Sequence, residues 1–220
     1  MTESIENLRK ALAEVRHHRA HFSTDAYNTV VSTLLERIRN NRTITETKNE
    51  PVKSDEIRLV TVMFVDVVES TRLARKMDRG DWKTLISDAH SLMASIVLEA
   101  EGNVGQYLGD GMLCYYGAQH SRGDDALRAV NCALVIQQAM LDYAEQAVRK
   151  YKQATGFAVR ISLSTGRVVV GLIGNEEKQE LLALGPATNL ASRLQSFAEP
   201  NTIVIDAQTQ RRVRTHFQLD

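Results

Sequence analysis

Hydrophobic positions recur along this chain in two rhythms. Near the start, Ile5, Leu8, Leu12 and Val15 return at three- and four-residue intervals, marking one apolar face of a helix. Ser23-Thr24-Asp25 offers an N-cap cluster before a second helical face of Tyr27, Val30, Val31, Leu34, Leu35 and Ile38. Two such short helices cannot bury those faces alone, so they are expected to pack together, on the main domain or across a dimer. Residues 40–57 are polar, contain Pro51 and keep no rhythm, which is linker chemistry. The expected division is a small helical segment over 1–48, a linker over 49–57 and a main domain over 58–220.

From Arg58 the rhythm shifts to alternation. The pattern predicts a strand over 58–66, a helix over 81–100, a hairpin over 103–117 and a helix over 123–152. Strands follow near 157–165, 167–173 and 179–184, then a helix over 187–197 and a strand at 202–206. The order β-α-β-β-α-β is that of a ferredoxin-like split unit, an α+β fold with an antiparallel sheet and helices on one face.

Two Asp residues break the apolar pattern. Asp66 is the only charge in Val60-Thr61-Val62-Met63-Phe64-Val65-Asp66-Val67-Val68, and Asp110 sits in the turn Gly109-Asp110-Gly111. Gly and Asp tolerate the positive φ of tight hairpin turns, so a bare turn explains Asp110, and a solvent-facing strand end explains Asp66. If the strand lies beside the hairpin, the two carboxylates converge and repel, and a divalent cation resolves the conflict. Oxygen ligands without nearby His or Cys select Mg²⁺ or Mn²⁺, ions that take remaining ligands from substrate phosphates. The implied chemistry is phosphoryl transfer.

Composition narrows the partners. Lys+Arg and Asp+Glu both count 27, so net charge gives no case for nucleic acid or an anionic membrane surface. The ferredoxin-like order also lacks a basic strand face with stacking aromatics. No stretch approaches the roughly 20 apolar residues that span a bilayer, and the first 20 residues carry no apolar targeting core. Cys114 and Cys132 both lie in apolar surroundings, as buried free thiols of a reducing compartment do, so a cytoplasmic location is expected. His17 and His21 share a helical face beside His18, but without a carboxylate or thiolate partner they read as a solvated basic helix.

Four blocks carry a specific resemblance. Met63–Thr71 and Gln106–Gly111 resemble the two metal-binding motifs of class III nucleotide cyclases. Gly185-Pro186-Ala187-Thr188-Asn189-Leu190-Ala191-Ser192-Arg193-Leu194 resembles the family's Gly-x-x-x-Asn-x-Ala-x-Arg helix. Arg160–Gly166, followed by Val168–Gly171, resembles its Arg-bearing strand and small-residue turn. The resemblance covers about residues 58–206 and implies the nucleotide cyclase fold, acting on a nucleoside triphosphate in a homodimer with its sites at the interface. It implies two metals, Mg²⁺ or Mn²⁺, on Asp66 and Asp110, and phosphates cradled by the backbone of Val67, Val68, Glu69, Ser70 and Thr71. Arg160 would contact phosphate, Asn189 would orient the ribose, and Arg193 would stabilise transition-state charge on the α-phosphate.

The sequence departs from the family at the base-reading pair. Adenylate-specific members place Lys and Asp where this chain has Gln106 and Leu182, and guanylate members typically place Glu and Cys. Gln donates and accepts, so Gln106 suits several bases, while Leu182 removes one polar reader. ATP is favoured on family grounds. The alternative is a pyrimidine cyclase making cCMP or cUMP, which this compact form resembles in outline, as used in bacterial antiphage signalling. Family members usually continue into a strand pair that contributes a Lys to the triphosphate, a role for which Arg211, Arg212 or Arg214 stand as candidates. The rival from another class is a catalytically silent nucleotide-binding regulatory module. Against it stand Asp66, Asp110, Asn189 and Arg193, all retained.

Overall fold

A computed structural model describes residues 5–17, 56–174 and 179–219, together with 30, 33, 34 and 37. Most of the second N-terminal helix, His18, His21 and linker residues 40–55 lie outside them. The chain divides into two units, Met1–Pro51 and Val52–Asp220. In the first, helix α1 (Ile5–His17) buries Leu8 and Leu12, two residues of the expected apolar stripe.

The second unit is built on β1 (Glu56–Val67), the long central strand. It pairs antiparallel with β3 (Gly111–Tyr116) on one side and β4 (Val159–Gly174) on the other. With β2 (Asn103–Leu108) and β5 (Gln179–Leu184) the sheet runs β2-β3-β1-β4-β5, and β6 (Ile203–Ile205) joins β4 in parallel. The helices are α2 (Ser70–Lys76), α3 (Arg79–Glu99), α4 (Asp125–Lys150), α5 (Pro186–Leu194) and α6 (Ala207–Val213). Among the described residues, no helix is long and apolar enough to cross a membrane.

Alternation on β1 divides the core in two. Met63, Val65 and Val67 join the buried faces of α3 and α4, including Ala89, Met93, Ala133 and Ile136. Val60, Val62 and Phe64 join Leu113, Tyr115, Val168 and Val170, capped by Ala187 and Ala191 of α5. Helices therefore cover both faces, not one. The strand expected to break near Gly166 also runs straight through. A Cβ on Gly166 would come within 3.0 Å of the Ala187 Cβ, so this glycine admits a closely packed helix instead of making a turn. The sheet begins at Glu56, opposite Val170, two residues before the expected boundary.

Buried polar groups pin the layers together. Thr61, Thr165 and Thr209 form a hydroxyl chain with steps of 2.9 and 2.8 Å, which ends on Asp206. The Asp206 carboxylate also accepts the Thr209 backbone N–H at 2.8 Å and thereby caps α6. Arg128 of α4 bonds Asp124 at 2.9 Å and donates to the carbonyls of Ala100 and Glu101, securing the bend between α3 and β2.

Cys114 and Cys132 are both buried free thiols in the helix-side core. Burial pushes the Cys132 thiol up to about 12 and Cys114 well above its ordinary value. The thiolate is the reactive form, so a thiol reagent at pH 8 is expected to label neither cysteine in the folded protein and both in denaturant. Rapid labelling of the native chain would contradict this packing.

Candidate active site

The centre of the site lies where β1 ends. Alternation carries Asp66 to the same face as Val60, Val62 and Phe64, the α5 side of the sheet. Its register partner on β4 is Arg160, and the guanidinium donates to Asp66 Oδ2 from Nε at 2.9 Å and from Nη2 at 2.7 Å. The pair is partly buried. Arg160, expected from sequence as a phosphate contact, here bonds the carboxylate through one oxygen only.

The other oxygen faces the hairpin. A Cβ on Gly111 would lie 2.7 Å from the Val65 carbonyl and 3.5 Å from Asp66 Oδ1, so only glycine lets the turn approach β1 this closely. The turn itself is two residues long, closed by Leu108 opposite Gly111, with Gly109 at φ 65°. It presents Asp110, whose Oδ2 is buried and has no hydrogen-bond partner. A buried carboxylate oxygen left without a partner is costly. The strand and the hairpin are therefore neighbours, and the Gly111 end of the turn lies against Asp66. Among the described residues, no group of three or more His, Cys, Asp and Glu is arranged to hold a metal unaided. Two carboxylates, one with an orphaned oxygen and one with Oδ1 toward the turn, fit a hard cation that completes its shell from elsewhere.

The phosphate cradle is narrower than expected. The Val68 N–H is already committed to the Ala158 carbonyl at 2.9 Å, and Val67 is paired in the sheet opposite Val159. Of the segment 67–71, that leaves the amides of Glu69, Ser70 and Thr71. Glu69 adopts a left-handed conformation at φ 51°, ψ 32°, which turns the chain sharply from β1 into α2. Such strain in a non-glycine residue is held in place by its surroundings and concentrates at functional sites.

Gln106 pairs with Leu113 and so shares the α5 side of the sheet. A bulge between Val104 and Gln106 precedes it, at Gly105, where any Cβ would collide with the Tyr115 ring. Strand β5 approaches β2. Leu181 and Ala183 point into the core there, so alternation turns half-buried Leu182 the other way. Arg211, Arg212 and Arg214 are exposed at α6, whose buried Val213 belongs to the helix-side core, opposite the Asp66 face. The structure does not bring these three to Asp66.

Asn189 and Arg193 lie on α5, which sits on Ala187 and Ala191. The Ser162 hydroxyl, donating to the Ala191 carbonyl at 2.7 Å, ties this helix to β4. Asn189 and Arg193 are both exposed, and among the described residues no hydrogen bond or ion pair joins either to Asp66 or Asp110. Beside them, Leu190 is 42% and Phe197 75% exposed.

Sequence reasoning missed His90. This α3 residue stacks on Tyr107 of β2 with ring centroids 5.0 Å apart. Burial holds its imidazole below the ordinary value, opposed by the backbone and charge of Asp110 and the backbone of Gly111. The available signal was a ring-bearing polar residue next to the apolar stripe Leu85, Ala89, Met93, Val97.

A model of the adenylate and guanylate cyclase catalytic domain matches residues 52–220. The receptor-type guanylate cyclase gcy-20 of Caenorhabditis elegans is 29% identical over 162 residues, covering 74% of this chain and 14% of that protein. Adenylate cyclase 1 of Rhizobium meliloti is 27% identical over 139 residues, covering 62% of this chain and 20% of that protein. This chain thus spans less than a quarter of either relative's length. Among solved structures, the guanylyl cyclase Cya2 superposes with a TM-score of 0.68 at 27% identity, over 73% of this chain and 80% of that one.

Proposed function

Because the chain belongs to the class III adenylate and guanylate cyclase catalytic domain family, we propose that it converts a nucleoside triphosphate to its 3′,5′-cyclic nucleotide and pyrophosphate. The observation that carries this is the orphaned, buried Oδ2 of Asp110 on a turn that Gly111 brings against Asp66. Asp66 Oδ1 and Asp110 Oδ2 would hold two divalent cations, Mg²⁺ or Mn²⁺. Bound there, such ions lower the pKa of the ribose 3′-hydroxyl and offset triphosphate charge. In the net reaction the 3′-oxygen bonds to the α-phosphorus, the bond to pyrophosphate breaks, and the hydroxyl proton leaves.

The chain's own residues supply position and charge. Arg160, already beside Asp66, is within reach of phosphate oxygens that share the site, and its planar guanidinium suits them. The amides of Glu69, Ser70 and Thr71 would add neutral donors. Asn189 would orient the ribose and Arg193 would face the α-phosphate, both contributed by a second copy of the chain. The exposure of both residues, and of Leu190 and Phe197 beside them, supports that homodimer, since an interface buries such apolar surface. A two-fold dimer would then carry two equivalent sites.

The substrate is ATP on this reading, with Gln106 pairing to the base edge. With Leu182 apolar and turned away from the Gln106 side, Gln106 is left as the polar base reader, and a pyrimidine triphosphate stands as the second reading. Incubation with ATP, CTP, GTP and UTP separately, each with Mn²⁺, and mass identification of the product tests both. A 3′,5′-cyclic nucleotide from at least one is expected, and its base names the substrate. No cyclic product from any of the four would leave the silent regulatory module as the better account.

A further inference from the structure

Little apolar packing braces the turn that carries Asp110. Open space surrounds Gly109, and Tyr107 and Leu108 are both exposed on the strand that leads into it. A carboxylate ligand on a two-residue hairpin tip needs support from behind to hold its direction, as supporting residues do for metal ligands generally. From that side comes α3. His90 lies against the Tyr107 ring, and its Nε2 is buried without a hydrogen-bond partner. The backbone of Asp110 and Gly111 and the Asp110 charge all act on its imidazole.

Two buried polar atoms without a partner thus lie about this hairpin, His90 Nε2 on the helix side against Tyr107 and Asp110 Oδ2 on the turn. Alternation on β2 separates front from back. Gln106 faces the α5 side, and Tyr107 faces α3 with His90. A buried polar ring that is not needed would be replaced by an apolar one at no cost, since an unsatisfied buried nitrogen is a liability. From the stacked rings, the unpartnered nitrogen and their place behind the turn, we infer that His90, held by Tyr107, is a positioning residue. Its Nε2, unpartnered in the free protein, donates to the Asp110–Gly111 backbone once the turn takes up metal, and so fixes the direction of the Asp110 carboxylate. This rests on the proposed metal role of Asp110. It adds a residue on the helix side that touches neither substrate nor cation.

The test measures Mn²⁺ binding by the loss of the free-ion electron paramagnetic resonance signal, with inorganic tripolyphosphate as a base-free partner. Four proteins are compared: wild type, Asp110→Asn, His90→Leu and His90→Gln. The expected result is binding by wild type, none by Asp110→Asn, and an affinity about tenfold weaker for His90→Leu, the lower end of the effect of supporting residues. His90→Gln, which keeps a donor, should recover most of that loss. The melting temperature of His90→Leu without metal should equal or exceed that of wild type. Wild-type affinity in His90→Leu would overturn the inference, as would equal losses in both variants with lowered melting temperatures, the mark of a purely structural role. Should His90→Leu fail to fold, His90→Asn decides: weaker binding by a folded protein supports the role, and unchanged binding overturns it. Absence of Mn²⁺ binding by wild type would instead refute the metal site itself, and this inference with it.

Discussion

Asp110→Asn is expected to reduce cyclase activity at least about a thousandfold, roughly 4 kcal/mol of barrier, while leaving the free protein as stable as wild type or more so. The two halves of that result have one cause. Asp110 Oδ2 is buried and unpartnered, so the charge it carries is a burden on the metal-free fold. Asn keeps the volume and removes the charge, and with it a hard anionic ligand. Initial rates and thermal unfolding midpoints, measured with and without Mn²⁺ and tripolyphosphate, separate the effects. Wild type should be stabilised by the pair and the variant should not, because only binding to the folded state raises the midpoint. A variant with normal activity, or one that unfolds at much lower temperature, would show that Asp110 serves the turn and not the chemistry.

How much of this was legible in the sequence depends on the range of the forces involved. The alternation of β1, the Gly109-Asp110-Gly111 turn and the helix expected from residue 187 are local patterns, and each begins close to where it is expected. The metal reading is conditional on the Asp66 strand lying beside the hairpin, and the β1–β3 pairing meets that condition, with Gly111 admitting the Val65 carbonyl. What failed depended on tertiary packing. Gly166 looked like a strand break because glycine usually punctuates, yet it serves the approach of Ala187. The ion pair of Arg160 with Asp66 is likewise invisible in sequence, because the β1–β4 register that sets them opposite each other cannot be read from either strand alone. Val68 reads as part of the phosphate cradle in sequence, but its N–H bonds the carbonyl of Ala158, 90 residues away in the chain. His90 escaped because its partners, Tyr107 and the Asp110 turn, belong to another element.

Arg193→Ala carries the second large effect, an expected loss of about a hundred- to a thousandfold in activity, the usual cost of removing one donor aimed at transition-state charge. Its side chain is exposed on α5, with no ion pair among the described residues, so thermal stability should move by no more than about 0.5 kcal/mol. Loss of activity without loss of stability marks a residue whose work lies outside its own chain. The same split is expected for Asn189→Ala, on the same exposed face four residues earlier.

Mixing two inactive proteins tests the shared site most directly. Asp66→Ala lacks the first half and Arg193→Ala the second. In a two-fold dimer of one copy of each, one site contains both defects and the other contains none. Random exchange makes about half of the dimers mixed, so activity should return to about a quarter of the wild-type value at equal total protein. That recovery is the predicted result. If size and mass measurements show the mixed dimer present and activity stays at the level of either variant alone, the two halves do not complete each other across copies, and the account of a cyclase site shared between two chains is wrong.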